Sequence, residues 1–250
     1  MLLLLGAVLL FWGLLWGVLS ISALLVDCSR QYENESRYYR RLLNFATAAT
    51  FRFLRVHAVQ EGREKLPQSG SFLLVCNHRS KFDPLMTWLI LAHRKVIYIS
   101  KPENFRIPAF GKIIHRLRFI RIDRTSIGTS AEALRQGTAL LKEPDTIVAV
   151  YPEGTRSLNN ELLPFHAVVF TMAKHAKVPV VVMSIRGTET IRQNAPWRTS
   201  RVHLDFIETI PAEWIAGHKT RELCARAESD IRTSLETPPT PPAAPAFPGA

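Results

Sequence analysis

His78 and Asp83 lie five positions apart, directly after the apolar run Ser71-Phe72-Leu73-Leu74-Val75-Cys76. Ser71 to Val75 reads as a short strand. Asp83 to Ala92 reads as a helix, because Asp suits an N-cap and Pro84 suits the first helical position. This spacing puts an imidazole at the carboxyl end of a strand and a carboxylate across one tight turn. Ligands of open α/β sheets bind at that edge. An imidazole held by a carboxylate can take the proton of a hydroxyl as a general base. Taken alone, the same spacing fits a polar loop followed by a capped helix better than a catalytic pair.

Other strand ends add matching chemistry. Tyr151-Pro152-Glu153-Gly154-Thr155-Arg156-Ser157 follows the apolar strand Thr146 to Val150. Gly154 permits close backbone approach, Arg156 offers a planar fork to a phosphate, and Glu153 can accept hydrogen bonds from a polyol or orient Arg156. Phe119-Ile120-Arg121-Ile122-Asp123-Arg124 is another strand that ends in a base, and Lys101 follows the strand Val96 to Ile99. A single Arg at a strand end is usually a solvated charge. Cations and a His at several strand ends point to a phosphorylated ligand beside a base.

The elements that must position these residues alternate along the chain. Val56 to Val59, Val178 to Ile185 and Val202 to Phe206 read as further strands. Ile107 to Arg116, Ser130 to Lys142, Phe165 to His175 and Trp214 to Leu235 read as helices. Such alternation predicts an α/β fold, a mostly parallel central sheet flanked by helices. Before it, Arg37 to Val56 predicts an amphipathic helix. Tyr38, Leu42, Phe45, Ala49, Phe53 and Val56 gather on one side, the arginines 37, 40, 41, 52 and 55 cluster opposite, and Phe51 fits neither group. The expected organisation is an anchor over 1–26, a polar linker and basic helix over 27–57, a catalytic domain over 58–236 and a Pro-rich disordered tail over 237–250.

The anchor rests on Met1 to Val26, which contains no charged side chain. At about 1.5 Å per residue the run exceeds the ~30 Å hydrocarbon core of a bilayer. Its length and the lack of a preceding Lys or Arg favour a retained anchor over a cleaved signal peptide, although Ser20-Ile21-Ser22-Ala23 is a weak cleavage signal. The first basic residues follow the run, which places the rest of the chain on the cytoplasmic face. Residues 28–124 carry 19 Lys/Arg against 7 Asp/Glu, whereas residues 125–250 carry 13 against 13. A positive field confined to the membrane-proximal half suits anionic headgroups better than nucleic acid, which would need aromatics interleaved with bases along a groove. Cys28, Cys76 and Cys224 fit neither a disulfide framework nor a metal-ligand spacing.

In order and spacing, Asn77 to Asp83, Phe119 to Arg124 and Tyr151 to Ser157 resemble the first three motifs of the glycerolipid acyltransferases, nearest to the 1-acyl-sn-glycerol-3-phosphate acyltransferases. Lys101 and Pro108-Ala109-Phe110-Gly111 resemble the segment before that family's second motif, and Val178-Pro179-Val180-Val181-Val182 resembles its fourth. The resemblance covers about residues 56–210.

The resemblance implies acyl transfer from acyl-CoA or acyl-carrier protein to the free sn-2 hydroxyl of lysophosphatidic acid. It makes His78 the base and Asp83 its orienting carboxylate, with no acyl-enzyme, no metal and no cofactor beyond the acyl thioester. Lys101, Arg124 and Arg156 would hold the acceptor phosphate, Glu153 and Gly154 would shape its site, and backbone N–H groups near Asn77 to Ser80 would meet the oxyanion. No Ser or Cys sits in a G-x-S-x-G elbow. Three departures bear on substrate detail: His166-Ala167-Val168 follow Pro164-Phe165 where a basic pair and a Gly are usual, Val182 replaces a proline, and Tyr151 stands where Phe is commoner. Two alternatives are a relative that acylates glycerol-3-phosphate or another lysolipid, and a non-catalytic lipid-binding membrane module.

Overall fold

The computed structural model of the chain describes residues 2–123, 127–157, 159 and 161–238. The first helix, α1 (Leu2–Leu24), has no charged residue. Its segment Leu5–Leu24, with a mean hydropathy of 2.1, is long and apolar enough to cross a membrane. The helix α2 (Arg37–Phe53) leads into the strand β1 (Val56–Glu61). There follow β2 (Phe72–Cys76), α3 (Asp83–Ile90), β3 (Lys95–Ser100), α4 (Phe110–Arg116), β4 (Ile120–Arg121), α5 (Ile127–Leu141) and β5 (Thr146–Val150). The chain continues through α6 (Thr171–Ala176), β6 (Val180–Arg186), α7 (Ile191–Asn194), β7 (Ser200–Ile210), α8 (Ala212–Gly217) and α9 (Thr220–Glu236).

One seven-stranded sheet has the order β1-β7-β6-β2-β5-β3-β4. Strands β2 to β6 run the same way, β7 reverses against β6, and β1 runs parallel to β7. The expected α/β fold with a mostly parallel sheet is therefore what the chain adopts. Every residue of β2 and β5 is buried, as a central strand covered on both faces requires. Alternation divides them between two cores. Phe72, Leu74, Cys76, Ile147 and Ala149 pack with α2, α3 and α4, whereas Leu73, Val75, Val148 and Val150 pack with α5, α6 and α9.

The structure alters several sequence expectations. The segment Trp214 to Leu235 is interrupted after Gly217 and forms two helices, α8 and α9. Ile107 to Arg116 and Phe165 to His175 each open on non-α backbone, the latter as a 310 turn over Ala167–Phe170. The largest correction concerns α2. Its buried face is Tyr39, Leu43, Thr47 and Phe51, while Tyr38, Phe45 and Phe53 of the expected apolar face are exposed. Phe51, which fitted neither predicted face, is 2% exposed and packs in the core. The helix thus has three faces, because apolar residues serve two environments. The outer apolar face meets α1: Phe45 lies against Phe11 and Phe53 against Trp12, with ring centroids 6.4 and 5.3 Å apart. The Tyr39 hydroxyl donates to the Ser22 carbonyl at 2.7 Å. The tail expected over 237–250 lies outside the described residues except for Thr237 and Pro238.

The turn from β6 toward α7 depends on Gly187. Its φ of +91° lies in the left-handed region, and a Cβ there would sit 2.2 Å from the Arg201 carbonyl oxygen. Gly187→Ala is expected to lower unfolding free energy by about 1–3 kcal/mol and melting temperature by several degrees. Differential scanning fluorimetry in detergent measures this, and an unchanged melting temperature refutes it.

Candidate active site

The turn from β2 into α3 folds around the Asp83 carboxylate. Asp83 is wholly buried, and its Oδ2 accepts hydrogen bonds from Arg79 N and Ser80 N at 2.7 Å each and faces His78 Nδ1 at 2.8 Å. The Thr188 hydroxyl donates to Oδ1 from the connector that follows β6. Asp83 is therefore the first residue of α3 rather than its cap, and its side chain ties down the preceding turn. With two N–H groups on Oδ2, the carboxylate acts as acceptor, so the His78 proton belongs on Nδ1. Nε2 then carries the lone pair and has no protein partner among the described residues.

The imidazole rests on a second support. It stacks on Tyr151, with ring centroids 4.4 Å apart and planes 27° from parallel. Thr87 Oγ1 lies 3.1 Å from the Tyr151 hydroxyl and 2.6 Å from that of Tyr98, linking α3 to β5 and β3. Burial pushes both phenols above the ordinary tyrosine range and keeps them neutral. Glu153 joins the loops from the other side: Oε1 accepts from His78 N at 2.5 Å and Oε2 from Leu163 N at 3.0 Å. Its burial raises its pKa from 4.5 to about 7, despite the two backbone donors that oppose the shift. Ser157 N also donates to the His78 carbonyl at 2.9 Å, so the two loops are bonded at two points, and the Leu163 bond braces Glu153 within its own loop. Gly154 has a φ of +74°, which a side chain would strain.

The remaining predicted residues distribute along the same edge. Lys101 follows β3 and is exposed, and Arg156 is half-buried in the loop after β5. Neither side chain has a hydrogen-bond or ion-pair partner among the described residues. Adjacent strands are ~4.8 Å apart, so the end of β3 stands about 10 Å along the edge from that of β2. Arg124 lies outside the described residues. The expectation that backbone N–H groups near Asn77 to Ser80 await an oxyanion is overturned: those of His78, Arg79 and Ser80 already donate to Glu153 or Asp83. No group of three or more His, Cys, Asp or Glu among the described residues is arranged to hold a metal.

Sequence reasoning overlooked Thr188, Thr87 and the structural part of Asn77. The Asn77 Nδ2 donates to the Ile185 carbonyl at 2.9 Å and its Oδ1 accepts from Ile185 N at 2.8 Å, fastening the end of β2 to β6. Thr188 had one usable signal: it follows Gly187 at the carboxyl end of a predicted strand, as His78 and Glu153 do.

Comparison with known proteins gives a consistent answer. Residues 57–186, just over half of the chain, match the family model described as Acyltransferase. A 1-acyl-sn-glycerol-3-phosphate acyltransferase of Cocos nucifera is 31% identical over 117 residues, 46% of this chain and 37% of that protein. One from Chlamydomonas reinhardtii is 30% identical over 207 residues, 79% of this chain and 60% of that protein. The matches thus span less than two thirds of these relatives' lengths. The crystal structure of the 1-acyl-sn-glycerophosphate (LPA) acyltransferase PlsC from Thermotoga maritima superposes with a TM-score of 0.67 at 25% identity, covering 90% of this chain and 88% of that one. The family match includes both strand ends that meet at His78, and the chain belongs to the Acyltransferase family.

Proposed function

We propose that the protein transfers a fatty acyl group from an acyl thioester to the free sn-2 hydroxyl of 1-acyl-sn-glycerol-3-phosphate, giving phosphatidic acid. The observation that carries this reading is His78, bonded through Nδ1 to buried Asp83 and open at Nε2. Nε2 takes the hydroxyl proton as that oxygen attacks the thioester carbonyl. The new C–O bond replaces the C–S bond, and the imidazolium returns the proton to the departing thiolate, so no acyl-enzyme forms. Asp83 orients the ring and offsets the imidazolium charge. Lys101, Arg124 and Arg156 receive the acceptor phosphate, as basic residues at neighbouring strand ends can. Glu153 holds the His78 main chain and, with Gly154, shapes the acceptor site. The donor is acyl-CoA or acyl-carrier protein.

The protein works at a membrane. Helix α1 remains as its anchor, and the basic residues after it favour a catalytic domain on the cytoplasmic face. The apolar α1 and the outward-facing Phe45 and Phe53 of α2 support this reading.

Thiol release from palmitoyl- or oleoyl-CoA in detergent or vesicles tests the activity, with lysophosphatidate, glycerol-3-phosphate and other lysolipids as an acceptor panel. Preference for lysophosphatidate is expected, and stronger use of another acceptor refutes the substrate assignment. His78→Ala should lose about 10²–10⁴-fold in rate while still folding cooperatively, at a lower melting temperature because Asp83 loses a donor. Full activity in that variant refutes the mechanism.

Arg156→Ala should mainly raise KM for the phosphorylated acceptor, by about tenfold. Steady-state kinetics with an unchanged KM would remove Arg156 from the phosphate site. Glu153 gives a stability signature with a definite sign. Its folded pKa of about 7 exceeds the ordinary 4.5, so the folded state binds more protons between these values and stability falls as pH rises through them. The melting temperature of wild type relative to Glu153→Gln should therefore fall from about pH 5 to about pH 8. A constant difference would be inconsistent with the raised pKa.

A further inference from the structure

The connector between β6 and β7 has two ends with different surroundings. Thr188, wholly buried, donates to Asp83, and Glu189 lies 3.6 Å from Arg79. Nine residues beyond Thr188, Trp197 is 83% exposed, the most exposed aromatic side chain among the described residues. A Trp left in water on a catalytic domain forgoes the apolar burial its ring could gain. Its surroundings identify what covers it. The Trp197 carbonyl accepts from Arg55 Nη1 at 3.3 Å, and Ser200 N donates to the Arg55 carbonyl at 3.2 Å. The connector therefore abuts the end of α2, two residues from the exposed Phe53 that meets Trp12 of α1. Arg52, Arg55, Arg192, Arg198 and Arg201 are all exposed around this junction. None has an ion-pair partner among the described residues.

We propose that the Trp197 segment is a second membrane contact, separate from α1, which inserts its indole at headgroup depth in an anionic bilayer. This rests on the membrane reading above. Trp prefers the interface because its ring is apolar and its N–H still reaches water or headgroups, and flanking arginines each add attraction to anionic lipid. A bilayer suits the patch better than an acidic protein because it continues onto the apolar faces of α2 and α1. The contact has a direction. The connector leaves the carboxyl end of β6, beside the β2 end that carries His78, so docking Trp197 holds the His78 edge toward the lipid that supplies the acceptor.

The test uses the full chain reconstituted with phosphatidylcholine alone or with added phosphatidylglycerol, in each case with or without brominated acyl chains. Vesicles are recovered by flotation, and tryptophan quenching is compared between wild type and Trp197→Phe. In anionic vesicles wild type should show additional quenching that Trp197→Phe lacks. That excess should shrink in phosphatidylcholine alone and in Arg192→Glu/Arg198→Glu, where each reversal weakens surface attraction by about fivefold or more. Equal quenching of wild type and Trp197→Phe in floated anionic vesicles overturns the contact while leaving the anchor intact. An excess that persists undiminished without anionic lipid overturns the electrostatic part. Loss of activity in Trp197→Phe only with an acyl-carrier donor, without a quenching difference, assigns the patch to a protein and overturns the proposal. Wild type that fails to float overturns the membrane reading and the contact together.

Discussion

A carboxylate with no exposure to water is unstable unless donors replace its hydration, and Asp83 collects its donors from two separate parts of the chain. Arg79 N, Ser80 N and His78 Nδ1 come from the turn it terminates, and the Thr188 hydroxyl comes from beyond β6. Hydrogen bonds to a charged group contribute about 1.5–3 kcal/mol each, whereas leaving such a group short of partners costs several. The turn and the connector are therefore held where they are by the same anion. His78 has its orientation fixed by a group that cannot move without disturbing both.

The sheet supplies the rest of the positioning through strand direction. Strands β2, β3, β4, β5 and β6 share one polarity, so their carboxyl ends bring residues distant in sequence to one edge. Reversal of β7, with β1 alongside, brings the α2 end and the Trp197 segment to that edge as well. The proposed catalytic groups and the proposed membrane contact then share a side of the molecule, as the proposed reaction on a bilayer lipid requires. The bond from His78 N to Glu153 and that from Ser157 N to the His78 carbonyl lock the β2 and β5 loops together across the middle.

Strand positions were legible because buried parallel strands are apolar runs with sharp punctuation, and β2 and β5 are bounded by Ser, Gly, Pro and charged residues. The His78 and Asp83 pair was legible as a spacing, but its meaning required the other motifs. The orientation of α2 was not legible, since a helix that faces a core, a second helix and a basic surface carries apolar residues on two sides. The Asp83 partnership with Thr188 was hidden for a different reason. It joins positions 105 residues apart, and no local pattern encodes such a pairing. Tyr151 registered only as a departure from Phe, although its hydroxyl contacts Thr87 and its ring supports the imidazole.

Asn77 carries a quieter consequence. Its amide gives Ile185 both a donor and an acceptor, which in a continuing parallel ladder would come from two different residues of β2. The side chain stands in for the main-chain groups that would have met Ile185 and frees the real main chain to turn away. The ladder thereby extends one step beyond the backbone that built it, and the histidine that follows leaves the sheet from a fixed point. An acid of the same shape would lack the donor, and a longer amide would miss the register. That position calls for a planar group with both polarities at one length.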